Sequence, residues 1–299
     1  MTEHTQAAVA TETASAAVWR GHAEGFTLVD EPLPDVTGGE VLVRVRMATI
    51  CGSDLHTIDG DRDTPVPTIL GHEAVGTVVA AGDAATTYAG EPLRAGTRVT
   101  WTIGTACGTC ARCRRGVTQK CVSVRKYGHE AMSARWRLNG GFATHCHLLA
   151  GTGIVPLPAS MPDEVATPAN CATATVVCAV RRARLVPGDV AVVLGCGMLG
   201  LTAVAYAKDR GAARVVACDV DDRRRQAALA GEVEDLTGGA GAEVVLEMSG
   251  SPAAVQTSLD LVGVDGRIAL VGSVSPAPEV SFEPSDVVRR LTTLVGCHN

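Results

Sequence analysis

Between Val190 and Ala207 the chain runs for 18 residues without a charge. That is long enough to cross a membrane as a helix. Its centre, however, is Gly195-Cys196-Gly197-Met198-Leu199-Gly200, and a buried strand, a tight turn and a helix explain the pattern better than a span does. The same alternation continues beyond it. Val190 to Leu194, Val215 to Cys218, Val244 to Glu247 and Arg267 to Val271 read as short apolar strands, with a helical stretch from Leu199 to Arg210 between the first two. Strands alternating with helices predict a parallel sheet with crossover connections.

The first half has a different character. Val41-Leu42-Val43-Arg44-Val45-Arg46 and Ala74 to Ala81 read as strands, and Gly and Pro are dense from Asp59 to Gly108, so this half is expected to be mostly β. A length of 299 residues suits two domains of ordinary size. With 46% hydrophobic and only 3% aromatic residues, Val, Ala and Leu must do most of the packing. A net charge of −6 argues against binding nucleic acid or an anionic membrane through the overall field. High hydrophobicity with little net charge excludes disorder over most of the length. Residues 1–17 read as a loose tail with no basic segment leading into an apolar one, hence no signal peptide. Eleven cysteines, an odd number, suit metal thiolates in a reducing compartment better than a disulfide framework. A soluble, cytoplasmic protein is the expectation.

Cys107, Cys110, Cys113 and Cys121 fall within fifteen residues. Four thiolates at this spacing can close a tetrahedron around Zn²⁺, leaving no open position, so the role would be structural. An iron–sulfur cluster also takes four cysteines and competes at the level of ligands. Arg112, Arg114, Arg115 and Lys120 decorate the loop; in an acidic chain they suit a solvated surface or subunit contact better than a nucleic-acid knuckle. Farther upstream, Cys51-Gly52-Ser53-Asp54-Leu55-His56 is followed by Gly71-His72-Glu73. Together they offer the thiolate, imidazole and carboxylate donors of an open, catalytic zinc site, and Cys171 can supply a third protein ligand. A second Gly128-His129-Glu130 competes for the metal but lacks a preceding Cys-x-x-x-x-His element.

Gly195, Gly197 and Gly200 lie between a predicted strand and helix, with Asp219 closing the next strand. This is a dinucleotide fingerprint: the glycines admit a pyrophosphate, and the carboxylate accepts from ribose hydroxyls. A negative charge there favours NAD over NADP, although Arg223-Arg224-Arg225 could hold a phosphate.

Taken in order, these motifs resemble the zinc-dependent medium-chain alcohol dehydrogenases, from about Ala17 to Asn299. Lys126-Tyr127-Gly128-His129-Glu130 and Gly141 to His147 are similar to a subgroup associated with phosphonate catabolism. The resemblance implies a GroES-like, mostly-β catalytic domain over 18–171, with a structural-zinc lobe at 104–125, and a Rossmann cofactor domain over 172–299. It implies catalytic zinc on Cys51, His72 and Cys171, with water, substrate oxygen or Glu73 in the remaining position. Ser53 would hydrogen-bond the substrate alcohol, His56 would form the outer end of a proton relay, and Asp54 would orient His72. Thr175 and Leu199 would pack the nicotinamide ring, Val271 would also bind the cofactor, and Asp219 with Arg224 would hold the adenosine ribose. The partners implied are a small alcohol or carbonyl compound and a second copy of the chain, in a homodimer or homotetramer.

Two departures from the family pattern stand out. About fifteen residues usual in the Rossmann half are missing between Asp219 and Glu247, and the chain stops soon after Val295-Gly296. A shortened Rossmann half and C-terminus leave two other readings beside the alcohol dehydrogenase. One is a biosynthetic reductase acting on an activated double bond or imine; the other is a non-catalytic, zinc-stabilised binding protein.

Overall fold

The computed structural model of the chain describes residues 12–224, 237–274 and 277–298. They belong to two compact units that divide between Asn170 and Cys171.

The first unit is built on an antiparallel five-stranded sheet. Its strands are β3 (Val41–Thr49), β5 (Glu73–Ala81), β6 (Arg98–Thr105), β7 (His145–Leu148) and β8 (Thr152–Pro156), in the order β7-β3-β5-β6-β8. Val41, Val43, Ala74, Val78 and Val99 point into one core with Trp101, Tyr127 and Trp136. Three large rings, all but fully buried, compensate for the low aromatic content. A smaller sheet, in the order β2-β1-β4, combines β1 (Thr13–Trp19), β2 (Phe26–Pro32) and β4 (Thr68–Ile69).

Strand β1 corrects part of the tail expected over 1–17; residues 1–11 of that tail lie outside the described residues. Its Ala14, Ala16 and Val18 are buried while Thr13 and Ser15 face out. This two-residue period is written in side chains too small to stand out in a hydropathy pattern. Pairing with β2 along its whole length, from Thr13↔Pro32 to Trp19↔Phe26, holds it in place.

The second unit carries a five-stranded parallel sheet of β9 (Val190–Leu194), β10 (Arg214–Cys218), β11 (Ala242–Glu247), β12 (Val262–Leu270) and β13 (Thr293–Gly296). The order is β10-β9-β11-β12-β13. Strand β9 is apolar throughout because both of its faces are covered. Ala191 and Val193 pack into a cluster with Val176, Val180, Ala203 and Val204 of the helices α4 (Ala172–Arg182) and α5 (Met198–Asp209). Val192 and Leu194 pack oppositely, with Ala254 and Leu259 of the helix Pro252–Leu261. The uncharged run from Val190 is therefore strand, turn and helix, and no helix among the described residues is long and apolar enough to cross a membrane. The chain leaves β9 for β10 on one side and returns to β11 on the other, which opens a crevice at the carboxyl ends of β9 and β11. Residues 225–236, where the shortened connection between Asp219 and Glu247 is expected, lie outside the described residues.

The turn after β9 is packed backbone to backbone. A Cβ on Gly200 would lie 1.7 Å from the Gly195 carbonyl oxygen. Gly200→Ala is expected to destabilise the chain by about 2 kcal/mol, as overpacked sites do. Urea unfolding of this variant checks the close approach, and unaltered stability would contradict it.

Candidate active site

The four-cysteine loop is preorganised by its own backbone. The amide N–H groups of Cys107, Cys110 and Cys113 point at the sulfurs of Cys121, Cys107 and Cys110, each at 3.4 Å. The Thr109 hydroxyl adds a fourth contact to Cys107 Sγ at 3.6 Å. All four sulfurs lie within 4.8 Å of one another. Tetrahedral zinc with Zn–S near 2.3 Å sets sulfurs about 3.8 Å apart, so the loop needs only a slight contraction around the ion. The hydrogen bonds from Thr109 and the backbone bring the Cys107 thiol down to about 5, whereas burial lifts Cys113 to about 12. Binding a metal must displace the remaining protons, so affinity rises with pH. Arg112 and Arg114 brace the loop internally by donating to the carbonyls of Lys120 and Thr109.

A second cluster gathers Cys51, His72, Glu73 and Cys171, whose ligand atoms also lie within 4.8 Å of one another. Cys51 caps the short helix α1 (Gly52–Ile58). His72 and Glu73 lie where the chain enters β5. Cys171 opens the second unit, and its peptide bond to Asn170 carries it into place. Asn170 Nδ2 donates to the carbonyls of His72 and Trp101, both at 2.8 Å. Glu73 is held by the Thr49 hydroxyl, which donates to its Oε2 at 2.6 Å. Thr49 and Asn170 are supports that the sequence did not reveal, because nothing in their spacing sets them apart from any other Thr or Asn.

Asp54 departs from expectation. Its Oδ1 stands 3.8 Å from His72 Nδ1, beyond hydrogen-bond reach. Instead, the fully buried carboxylate accepts from the backbone N–H of Cys51 at 2.8 Å and of Gly71 at 3.2 Å. Burial pushes the Asp54 carboxyl up, against the pull of His72 and of these two N–H groups. Asp54 thus ties together the two segments that carry the ligands.

The second Gly-His-Glu is not a separate centre. Gly71 (φ +85°) and Gly128 (φ +75°) meet backbone to backbone, and a Cβ on Gly128 would lie 2.8 Å from the Gly71 carbonyl oxygen. The contact brings the His129 ring to 4.8 Å from that of His72. Glu130 turns elsewhere, accepting from Lys126 N–H at 2.7 Å and from Arg125 Nε. Ser53 and His56 share one face of α1, three residues apart.

In the second unit Gly195 (φ +93°) turns the chain out of β9, and Gly197 caps α5 with open space where a side chain would stand. A helix N-terminus with free approach fits a phosphate. Asp219 Oδ2 accepts from Cys196 N–H at 2.7 Å and Oδ1 from Asp221 N–H at 2.9 Å. Burial opposes the charge, yet these N–H groups and Arg224, at 4.0 Å, hold the Asp219 carboxyl below the usual range. Thr175 is buried on α4, Leu199 is in the first turn of α5, and Val271 sits in the core just after β12.

A β unit with a closed thiolate site and an open mixed-ligand site, followed by a dinucleotide-type parallel sheet, defines a zinc-dependent oxidoreductase. A family model for the alcohol dehydrogenase GroES-like domain matches residues 37–159, and one for zinc-binding dehydrogenases matches residues 228–299. The L-threonine 3-dehydrogenase of Bacillus velezensis is 31% identical over 297 residues, covering 92% of this chain and 80% of that protein. The enzyme of the same name from Bacillus licheniformis is 34% identical over 295 residues, covering 91% and 79%. The crystal structure of an alcohol dehydrogenase from Thermotoga maritima matches with a TM-score of 0.89 at 26% identity, covering 96% of this chain and 85% of that one. The chain belongs to the zinc-dependent medium-chain alcohol dehydrogenase family and is a zinc-dependent alcohol oxidoreductase.

Asp54→Asn puts an amide N–H₂ against one of the two backbone N–H groups that the carboxylate now receives. Metal affinity at the Cys51–His72 cluster is expected to fall about 10- to 100-fold, with the four-cysteine metal retained. Competition against a chromophoric chelator measures both sites, and equal affinity in parent and variant would count against the clamp.

Proposed function

We propose that this chain is an NAD-dependent alcohol dehydrogenase, with its catalytic metal on Cys51, His72 and Cys171. The observation that carries the proposal is the convergence of two thiols, an imidazole and a carboxylate within 4.8 Å. Closed structural sites are dominated by Cys and His, whereas a site that mixes in a carboxylate and can release it suits catalysis. Zinc bound there would act as a Lewis acid on an alcohol oxygen, and bound NAD would take the hydride.

The side chains supply the rest. Cys51, His72 and Cys171 would hold the metal, with Glu73, tethered by Thr49, available as a further donor. Ser53 accepts the alcohol proton at its hydroxyl, and His56, toward the solvent side of α1, passes it to water. Asp54 holds the ligand segments in register. Thr175, Leu199 and Val271 form the apolar side of the nicotinamide site, and Gly195, Gly197 and Gly200 admit the pyrophosphate. Asp219, kept ionised by its N–H contacts, accepts from the ribose hydroxyls and repels a 2′-phosphate, which supports NAD over NADP.

The non-catalytic alternative is not favoured, since a scaffold without chemistry has no need for Cys51, Ser53, His56, His72 and Cys171 together. Nor is the reductase of double bonds or imines, since relatives named as threonine and alcohol dehydrogenases lie on the alcohol side of the family.

Protein purified without added metal or chelator is expected to hold two zinc atoms per chain. It is also expected to reduce NAD with at least one of L-threonine, benzyl alcohol, ethanol or 2-hydroxyethylphosphonate. His72→Ala should lose turnover with the fold intact by circular dichroism; full activity in that variant would remove His72 from the site. Asp219→Gly is expected to lower the NAD:NADP ratio of kcat/KM by about tenfold, equivalent to ~1.4 kcal/mol. An unmoved ratio would assign cofactor choice elsewhere.

A further inference from the structure

His56 does not stand alone at the end of α1. The chain folds back directly after the helix, with Asp59 N–H bonded to the Leu55 carbonyl at 2.8 Å and Arg62 N–H to the His56 carbonyl at 3.0 Å. Gly60, at φ +86°, makes the reversal. The Thr57 and Thr64 hydroxyls, 2.9 Å apart, pin the returning strand of the turn. The outcome is an Asp61 carboxylate oxygen 3.2 Å from His56 Nδ1. Both side chains reach solvent, at 44% and 62% exposure. An ion pair this exposed adds little to stability, and the turn is already set by its main-chain bonds. The contact is better explained by what it does to the imidazole.

We propose that Asp61 is a positioning residue for proton release, acting through His56; this rests on the relay assigned to Ser53 and His56 above. An ionised carboxylate only accepts hydrogen bonds, so Nδ1 must carry the hydrogen and neutral His56 presents its Nε2 lone pair. Alcohol oxidation releases one proton for each hydride transferred. The substrate O–H bond breaks, the proton arrives through Ser53 to form the Nε2–H bond, and the exposed imidazolium then returns it to water. Asp61 fixes the tautomer that can accept. Among the described residues, Asp61 is the one charged side chain bonded to this ring. Arg62 approaches only through its N–H, and His22 only through Nδ1, 3.1 Å from the Ile58 carbonyl oxygen.

In Asp61→Asn the amide can donate to Nδ1 and shift the hydrogen to Nε2, which blocks acceptance.

The test uses full-length protein labelled with ¹⁵N-histidine, the His56 ring signals being assigned by their loss in His56→Gln. The parent is expected to show neutral His56 protonated at Nδ1. Asp61→Asn should move the hydrogen to Nε2, and Asp61→Glu should restore it to Nδ1. An identical tautomer in parent and Asp61→Asn would overturn the proposal. On the kinetic side, kcat for the fastest alcohol of the four named above should fall on the order of tenfold in Asp61→Asn, with the KM for NAD and the zinc content unchanged. If His56→Gln is slowed and Asp61→Asn is not, Asp61 has no role in the relay. If His56→Gln turns over like the parent, the relay assignment itself fails, whatever the Asp61 variants do.

Discussion

The buried carboxylate of Asp54 holds the Cys51–His72 cluster together. It stands 3.8 Å from the His72 ring, and its hydrogen bonds come from the main chain of Cys51 and of Gly71, beside two cluster residues that lie 21 residues apart in sequence (72 − 51). A fully buried carboxylate is costly unless its lone pairs are filled, and here filling them is the same act as fixing the entry to α1 against the entry to β5. The other residues of the cluster are held by side-chain hydrogen bonds of two kinds. Asn170 fastens the approach to Cys171 onto the carbonyls of His72 and Trp101, whereas Thr49 engages the Glu73 carboxylate itself.

The chemistry-bearing atoms were legible because metal and phosphate sites are written in residue type and spacing. The four cysteines, the Cys51-x-x-x-x-His56 element with Gly71-His72-Glu73, and the glycines between β9 and α5 are local patterns whose physics does not depend on the rest of the fold. The apolar run through Val190–Leu194 was equally readable, since both faces of that strand are buried. What escaped was long-range or small in scale. Strand β1 is built on Ala14 and Ala16, whose burial depends on partners more than a hundred residues away, such as the Phe142 carbonyl that accepts from Ala17 N–H. The nearness of Asp54 to the His72 ring is readable from the motif, but its closer partners, the backbone N–H groups of Cys51 and Gly71, are not, because main-chain donors leave no mark in residue type. The shortening expected between Asp219 and Glu247 falls where residues 225–236 lie outside the described residues.

The two units also differ in how they use glycine. After β9, close approach within one turn leaves open space beside Gly197 at the head of α5. At Gly71 and Gly128, close approach between two distant segments makes a wall beside His72. The same missing side chain opens space in one place and closes it in the other.

That wall follows within a few residues of Cys121. The main chain after the four-cysteine loop runs back along β6, with Thr105 N–H bonded to the Arg125 carbonyl and Tyr127 N–H to the Ile103 carbonyl, before it reaches Gly128 and the His129 ring. The four-cysteine loop is therefore the abutment of the segment that packs against His72, and whatever loosens the loop also loosens the main chain that carries the His129 ring.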